Sequence, residues 1–436
     1  MRPVLLAGLA TLLAPTAAQA FCGHYVGQPG NELYSGVSEV VLTRQGTTTT
    51  LTLANDYQGD LTEFAVLIPV PPGVTEDDVA LAPADLLGRV REYSAPRYVE
   101  YSCDDLYPKS GGGCRGLGCR EESFLQLRDS STGGAFEGAP SLDVTVEQEF
   151  AVGSYEIVVL SSTDAGDLMT WLNTEGYGVS DEAEEVLTDY VEAGSQFFAA
   201  KVSLDDPVVG GGTFLEPLQV SYESEVMSLP IRLGTLNSPG VQDLILYVIN
   251  VAGEDGSDGG PVGIANYPEV EVETNCLVEE EPANFAEFYA GQLDDAFGDE
   301  PAAWASEYAW NPSGCDPCPP GGSMTPEDMV SLGVAEEQIW GATLTRLHMR
   351  YTADAAAEDL VLYSTGEFAQ WQMRYIQHKD RLEGTFAVCG EGFVADPRTC
   401  PRQDDVVQRS SAGGWLSFGF VGMLAGLGLL LRRRRR

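Results

Sequence analysis

The stretch "VSEVVLTRQGTTTTLTLANDYQGDLTEFAVLIPVPPG", which begins at Val37, contains the most regular pattern of the chain. Apolar and polar residues alternate over residues 37–70, as they do in strands. Gln45 and Gly46 interrupt the alternation once and residues 57–60 interrupt it again, and both interruptions are typical of turns. The ending "PVPPG" stops the pattern, because proline cannot donate a hydrogen bond to a sheet. The stretch therefore predicts an antiparallel meander.

Similar strand-like stretches recur along the rest of the chain. They predict further strands within residues 144–162, 197–204, 243–251, 342–352 and 369–378. The predicted fold is consequently rich in β-structure.

Short helices are predicted between these strands. Thr163 caps one helix, Ser180 caps a second, and Gly194 ends the second. Residues 282–309, which are rich in alanine and aromatics, are predicted to be helical. A last short helix is predicted in "TPEDMVSLG" (325–333), where threonine is the cap, proline takes the first position and glycine is the stop. The predicted fold class is α+β: β-rich and antiparallel, with short helices and one C-terminal transmembrane helix.

The first twenty residues have the features of an export signal. Arg2 supplies a positive start, residues 4–14 are apolar but too short to span a bilayer, and "AQA" (18–20) fits a cleavage site. Residues 1–20 are therefore predicted to be a signal peptide, and the mature chain is predicted to begin at Phe21.

The C-terminal end predicts a membrane anchor. Residues Gly413–Leu431 contain no charge, and at about 1.5 Å per residue they would just cross a hydrocarbon core of about 30 Å. The arginine cluster Arg432–Arg436 stays on the cytoplasmic side, so residues 401–412 form a polar linker on the far side. This tail also resembles the C-terminal sorting tags of Gram-negative bacteria, of the type with Gly413-Gly414. That resemblance implies a sorting protease that cuts the tail, whereas the plain interpretation is a permanent single-pass anchor.

The exported part is predicted to contain two domains. The stretch "GEDGSDGGPVG" (253–263) is the most loop-like segment between them. The prediction is a β-rich N-terminal domain with two short helices at 21–255 and an α+β C-terminal domain at 264–400.

Composition restricts the partners of this chain. Acidic residues number 66 against 24 basic ones, and the net charge is −42. Such a charge opposes nucleic-acid binding and favours loose binding of cations. In "GEDGSDGG" (253–260), Asp255, Ser257 and Asp258 offer oxygen ligands for weak Ca²⁺ binding. The stretch lacks the twelve-residue spacing with a closing glutamate, which favours a solvated loop.

Nine cysteines in an exported chain indicate disulfide bonds, and the odd number leaves at least one thiol free or paired outside the chain. Cys22, Cys103 and Cys276 are isolated in the sequence. The candidates for disulfide bonds are the C-x-x-C pair Cys315 and Cys318, the pair Cys114 and Cys119 in a glycine-rich loop, and Cys389 and Cys400, which flank a short loop.

The C-x-x-C pair admits three interpretations. Zinc would need two more ligands, which Cys114 and Cys119 could supply. A redox dithiol would place its first cysteine at the start of a helix, but "PPGG" follows Cys318. A structural disulfide is therefore favoured, and no metal or cofactor is predicted.

Motifs of common enzymes are missing, since the chain contains no G-x-S-x-G, H-E-x-x-H or P-loop pattern. In "TRLHMRY" (345–351), alternation places Arg346, His348 and Arg350 on one face of a strand. The favoured interpretation is that neighbouring carboxylates neutralise these cations. The alternative is an anion site, which Arg374 and His378 of the next strand would extend.

Several stretches in order resemble a family of bacterial exported proteins, DUF2330. They are "FCGHYV" (21–26), "NDYQGD…FAVLIPVP" (55–71), "SAPRYVEY" (94–101), "YEIVVLSS…LMTWLNTEGYGV" (155–179), "LPIRLGTLN" (229–237), "SEYAWNPSGCDPCP" (306–319) and "TRLHMRYT" (345–352). The resemblance runs from about residue 21 to about residue 390. It implies no activity and no catalytic residue, because the family has none assigned.

These observations favour an exported binding or scaffold protein over an enzyme. The predicted protein is anchored in the membrane by its C-terminal helix or sorted to the surface, with its ectodomain in the periplasm or on the cell surface. The alternative is an exported enzyme, either a hydrolase or a thiol oxidoreductase.

Overall fold

The protein is β-rich with a few short helices, as expected for an α+β chain. The computed structural model describes residues 24–27, 34–35, 38–53, 57–58, 63–101, 142–177, 179, 181–203, 216–237, 240–253, 259–315, 318–366, 370–379 and 382–392. The first strands are β1 (His24–Gly27), β2 (Tyr34–Ser35), β3 (Ser38–Gln45), β4 (Thr48–Leu53), β5 (Tyr57–Gln58), β6 (Glu63–Val70), β7 (Val79–Leu81), β8 (Arg97–Val99), β9 (Val144–Val152), β10 (Tyr155–Ser162) and β11 (Gln196–Ser203). The remaining strands are β12 (Leu218–Glu223), β13 (Ser228–Leu229), β14 (Val241–Val251), β15 (Val262–Ile264), β16 (Cys276–Val278), β17 (Ala302–Trp310), β18 (Ala342–Thr352), β19 (Leu360–Ser364), β20 (Trp371–Gln372) and β21 (Arg374–Gln377).

The described helices lie between these strands. The α-helices are α1 (Leu86–Ser94), α2 (Ala165–Thr174), α3 (Ala183–Glu192), α4 (Phe285–Phe297) and α5 (Pro326–Ser331). Three 3₁₀ segments occupy Glu76–Asp78, Arg232–Asn237 and Glu336–Gly341.

The largest sheet has eight strands in the order β20-β17-β18-β14-β3-β4-β12-β7. Strands β3 and β4 form the predicted hairpin, and Gly46 adopts a φ of 60° in its turn, which glycine reaches without steric cost. The pair β3 and β14 is parallel, while the other pairs are antiparallel. The sheet is therefore mixed, whereas the sequence predicted an antiparallel one.

A second sheet has five strands in the order β1-β6-β11-β10-β9, and all its pairs are antiparallel. The meander predicted over residues 37–70 is thus divided, since β3 and β4 belong to the large sheet and β6 to this one. Short sheets β13-β19-β15, β16-β21-β8 and β2-β5 complete the topology of the described strands.

The two larger sheets pack face to face around one apolar core. The large sheet contributes Val40, Leu246 and Met349 to it, and the five-stranded sheet contributes Ile68 and Phe198. Each of these side chains is at most 1% exposed, so the core between the sheets is closed to solvent and closely packed.

Helices cover the outer faces of both sheets. Helices α2 and α3 pack on the five-stranded sheet, and α1 and α5 pack on the eight-stranded sheet. Helix α4 lies over β17, where Leu293 and Phe297 contact Ala303 and Ala305. The eight-stranded sheet is thereby buried on both faces, which is the setting of the polar site described below.

The predicted boundary between residues 21–255 and 264–400 does not separate the sheets. Strand β14 lies before the boundary and β18 after it, yet the two pair over eleven positions. Among the described residues, contacts group those within 1–98, 120–274 and 282–375 into one unit and those within 99–119, 275–281 and 376–436 into another. In the second unit, Leu277, Ile376 and Val388 form a small core beside a disulfide between Cys276 and Cys389.

The prediction of a helix over residues 282–309 is wrong in its second half. Helix α4 ends at Phe297, Gly298 follows with a φ of 51°, and β17 begins at Ala302. Strand β17 is buried on both faces, so its sequence lacks the alternation that would have revealed a strand.

The observed N-terminal cap agrees with the predicted one in α5 and differs from it in α2. At α5, the hydroxyl of Thr325 accepts from the amide of Asp328, and the Asp328 carboxylate accepts from the amide of Thr325, which confirms the predicted cap. At α2, the carboxylate of Asp164 caps the helix instead of Thr163. Ser180 lies outside the described residues, and α1 was not predicted.

Among the residues that the structure describes, no helix is both long and apolar enough to cross a membrane. The predicted signal peptide (1–20), polar linker (401–412), transmembrane segment (413–431) and arginine cluster (432–436) lie outside the described residues.

Candidate functional site

The three basic residues singled out in the sequence share one face of β18. Leu347, Met349 and Tyr351 point into the core between the sheets. Arg346 and His348 lie on the opposite face, where they are 8% and 7% exposed. Since this face is covered by α1 and α4, its charged groups must find partners inside the protein.

A β-bulge in β17 supplies the central carboxylate. Ser306 pairs with Leu347 and Tyr308 pairs with Arg346, so Glu307 is the extra residue of the bulge. Its carboxylate is fully buried and accepts hydrogen bonds from Nε of Arg346 and from the hydroxyl of Tyr289 in α4. It also contacts Nδ1 of His348 at 2.9 Å.

His348 lies between two carboxylates. Its Nε2 is 2.9 Å from Oδ1 of Asp243 in β14, while its Nδ1 faces Glu307. Arg350 donates from Nε to the same Asp243 oxygen at 2.8 Å and from Nη1 to Asp294 of α4 at 2.7 Å. The guanidinium of Arg350 also lies over the ring of Phe297, 5.0 Å from its centre.

The network continues toward α1. Arg91 donates from Nε to Oε1 of Glu39 at 2.7 Å, and the hydroxyl of Tyr247 donates to the same oxygen at 3.0 Å. The guanidinium of Arg346 lies 5.4 Å from the centre of the Tyr247 ring. We call the eight charged residues of this network the ion-pair layer: Glu39, Arg91, Asp243, Asp294, Glu307, Arg346, His348 and Arg350.

Burial and charge act in opposite directions on the pKa values of the layer. Burial alone would raise the pKa of Glu307, but the charge of Arg346 and the hydrogen bonds of His348 and Tyr289 lower it to about 2. Burial alone would lower the pKa of His348, but its hydrogen bonds to Asp243 and Glu307 and their charges raise it to about 9. At neutral pH the layer therefore contains an imidazolium between two carboxylates.

This arrangement determines what the layer can do chemically. With both ring nitrogens bonded to carboxylates and its proton tightly held, His348 is a poor general base at neutral pH. With His348 protonated, the four cations and four carboxylates of the layer balance in charge. Neighbouring carboxylates thus neutralise the basic residues of β18, which is the favoured interpretation of the sequence, with an anion site as its alternative.

Arg374 and His378 do not extend the basic face of β18. The sheet neighbours of β18 are β14 and β17, whereas Arg374 begins β21 in a different sheet. Nε2 of His378 lies 3.0 Å from Oε1 of Glu383 in the second unit.

The C-x-x-C pair forms the predicted disulfide bond. Cys318 is exposed, while Cys315 is half-buried and packs against the core that contains Tyr93 and Met324. The hydroxyl of Tyr93 donates to the carbonyl of Gly314, which ties this loop to α1.

The partner of Cys389 is Cys276, which is isolated in the sequence. Cys389 is therefore bridged as predicted, but not to the nearby Cys400. Cys114, Cys119 and Cys400 lie outside the described residues.

The calcium prediction cannot be compared with the structure, because Asp255, Ser257 and Asp258 lie outside the described residues. Within the described part of the chain, no group of three or more His, Cys, Asp or Glu side chains is placed to hold a metal ion.

Sequence reasoning found the cations of the layer and missed the carboxylates. Glu307 had the clearest signal, because it is the one charged residue in the apolar and aromatic stretch "WASEYAW" (304–310). Glu39 is the second residue of β3 and Asp243 the third residue of β14, and apolar residues follow each of them. Tyr289 gave no signal, since its role depends on how α4 packs.

Comparison with known proteins bears on the family of the chain. No curated protein matches it. Among solved structures, a mutated baculovirus P35 after caspase cleavage matches with 10% sequence identity and a TM-score of 0.27, over 55% of this chain and 78% of that chain. The family described as "uncharacterized protein conserved in bacteria (DUF2330)" matches residues 16–363, well over half of the chain. The resemblance noted in the sequence is thereby confirmed, and the chain belongs to the DUF2330 family.

Proposed function

We propose that this protein is an exported binding or scaffold protein of the cell envelope, with an ectodomain that is held rigid by its ion-pair layer. The observation that supports this most is that the basic residues of β18 form ion pairs within the chain. Arg346, His348 and Arg350 are engaged by Glu307, Asp243 and Asp294 of the same chain. These groups serve packing, and a ligand would have to break ion pairs to reach them.

The layer joins distant parts of the sequence. Its residues come from six elements, namely β3, α1, β14, α4, β17 and β18. Removing one partner from such a buried network leaves another charge uncompensated, so each residue supports the position of the others. A rigid sheet with helices locked to it is suited to presenting a surface to a partner.

The terminal segments and the charge supply the remaining features of the proposal. The signal peptide directs the chain out of the cytoplasm, and residues 413–431 either anchor it in the membrane or are removed by a sorting protease. A net charge of −42 disfavours nucleic acid as a partner and suits weak binding of Ca²⁺.

The Arg350→Ala variant tests whether the layer serves structure or ligand binding. Its side chain is 19% exposed and pairs with two carboxylates, so the variant should lose about 2 kcal/mol of unfolding free energy. Arg232→Ala is a matched control, because Arg232 is also 19% exposed but pairs with one carboxylate, Asp189. The control should lose less than about 1 kcal/mol.

Thermal melting and calorimetric titration with inorganic phosphate report the two properties separately. We expect Arg350→Ala to melt well below the Arg232→Ala control and the wild type to bind no phosphate. A wild type that binds phosphate, together with an Arg350→Ala variant that keeps its melting temperature and loses the binding, would establish the anion site instead.

A further inference from the structure

The disulfide between Cys315 and Cys318 presents its two sulfurs to different surroundings. Cys318 is exposed, whereas Cys315 is half-buried against the core beneath α1 and α5. Thiol–disulfide exchange begins when a thiolate attacks an accessible sulfur, and the other sulfur then leaves. The structure therefore makes Cys318 the attacked sulfur and Cys315 the leaving group.

Polar groups are in place for both sulfurs once the bond is open. The hydroxyl oxygen of Ser323 lies 3.5 Å from Sγ of Cys315, close enough to donate a hydrogen bond to a Cys315 thiolate. Sγ of Cys318 lies 3.2 Å from the carbonyl oxygen of Cys315, which can accept from a Cys318 thiol. Stabilising the departing thiolate speeds exchange, so this environment favours opening of the bond at Cys318.

The second disulfide of the described chain provides an internal comparison. Cys276 is 2% exposed, and its bond to Cys389 joins positions 113 residues apart, against a separation of 3 for Cys315 and Cys318. Because loop-closure entropy grows with loop length, the long bridge reduces the number of conformations open to the unfolded chain by a factor on the order of 100 more than the short bridge does. The short bridge can therefore open with a smaller loss of fold stability than the long bridge.

We propose that Cys315 and Cys318 form a thiol–disulfide exchange site that oxidises dithiols, such as two cysteines of an exported polypeptide. A substrate thiolate attacks Sγ of Cys318, a mixed disulfide forms, and Cys315 leaves with the bonding electron pair as a thiolate. The second substrate thiolate then attacks the sulfur of the first substrate cysteine in the mixed disulfide and expels Cys318 as a thiolate. Two electrons pass from the substrate, which becomes a disulfide, to the protein, which becomes a dithiol. The scaffold role proposed above is independent of this activity.

The first test uses the full-length chain, purified without reductant. Aliquots are treated with graded dithiothreitol or with glutathione, alkylated with N-ethylmaleimide, and analysed by mass spectrometry of individual cysteine peptides. We expect Cys315–Cys318 to be half-reduced at a dithiothreitol concentration at least about 10-fold below that for Cys276–Cys389. The first glutathione adduct should be on Cys318. Equal reduction of the two bonds, or an adduct on Cys315, would overturn the proposal.

The second test measures oxidation of a synthetic peptide with two cysteines. The wild type should convert about one equivalent of peptide per chain, as expected for one two-electron site. The double variant Cys315→Ser/Cys318→Ser keeps the other seven of the nine cysteines. It should keep a cooperative melting transition slightly below that of the wild type, yet oxidise no peptide. Equal oxidation by the two proteins would assign the reaction to other cysteines and refute this site. If the double variant does not fold, the site-resolved measurement on the wild type decides alone.

Discussion

The substitution Glu307→Gln tests the ion-pair layer at its centre. Glutamine keeps the size of the side chain and removes its charge. Glu307 is fully buried and is contacted by Arg346, His348 and Tyr289. After the substitution, the amide can accept from one of these donors at its oxygen, while its NH₂ group faces another donor.

The size of the effect follows from the charges left behind. Breaking a buried ion pair by removing one partner costs about 3 to 5 kcal/mol, because the other charge remains buried and uncompensated. In Glu307→Gln the layer would contain four cations and three carboxylates. For a chain of 436 residues, such a loss lowers the melting temperature by roughly 3 to 6 °C.

Glu223→Gln is a suitable control. Glu223 is also a strand carboxylate with two side-chain donors, the hydroxyls of Thr47 and Thr48, but it is exposed. We expect its melting curve at pH 7 to overlay that of the wild type, measured by circular dichroism on both variants. If Glu307→Gln melts within about 1 °C of the wild type by the same assay, which corresponds to roughly 1 kcal/mol or less, the buried carboxylate is not needed and the reasoning fails.

The other predictions concern pH, the disulfides and topology. His348 has a folded pKa of about 9, above its usual 6.5, so its stabilisation is complete below pH 6.5 and lost as the pH rises through 9. The free energy of unfolding, measured with urea, should therefore be about 3 kcal/mol higher at pH 6 than at pH 9.5. A His348→Gln variant should lose most of this difference, and an equal difference in the two proteins would contradict the assignment. Replacing Cys276 and Cys389 with serine should cost about 4 to 5 kcal/mol of unfolding free energy, whereas replacing Cys315 and Cys318 should cost about 2 kcal/mol, because the closed loops differ in length. A larger loss from the short bridge would refute the entropic argument. Deleting residues 413–436 should release a soluble, folded protein from membranes, since five arginines halt translocation after an uncharged span. Retention of the truncated protein after a carbonate wash would disprove the single anchor.

The sequence predicted the elements whose patterns depend on local chemistry. The alternation in β18 placed its basic and apolar residues on the correct faces, and the cap at Thr325 followed from the residue types alone. The sequence failed where burial on both faces removed the alternation, as in β17. It also failed where pairing joins distant segments, as in the parallel pair of β3 and β14.

The same distinction explains which residues of the candidate site the sequence predicted. Charge made the cations visible in a chain with few basic residues, whereas their carboxylate partners were hidden among 66 acidic residues. Pairing across the sheet distinguishes Asp243 from the others, and Glu307 had in addition a local signal as the one charged residue of "WASEYAW". The disulfide between Cys276 and Cys389 was missed for the same reason, since a separation of 113 residues leaves no local signal.

The bulge at Glu307 connects the fold to the polar layer. Side chains in a strand alternate between faces, so shifting β18 by one residue against β17 would turn Arg346 and His348 toward the apolar core between the sheets. Apolar residues alone would penalise that shift only weakly, because Leu347 and Met349 would move to the face under α1 and α4, which is buried as well. Two charged side chains in the core would cost far more, because each would lose its carboxylate partner. The register of β17 and β18 is therefore specified chiefly by the ion-pair layer.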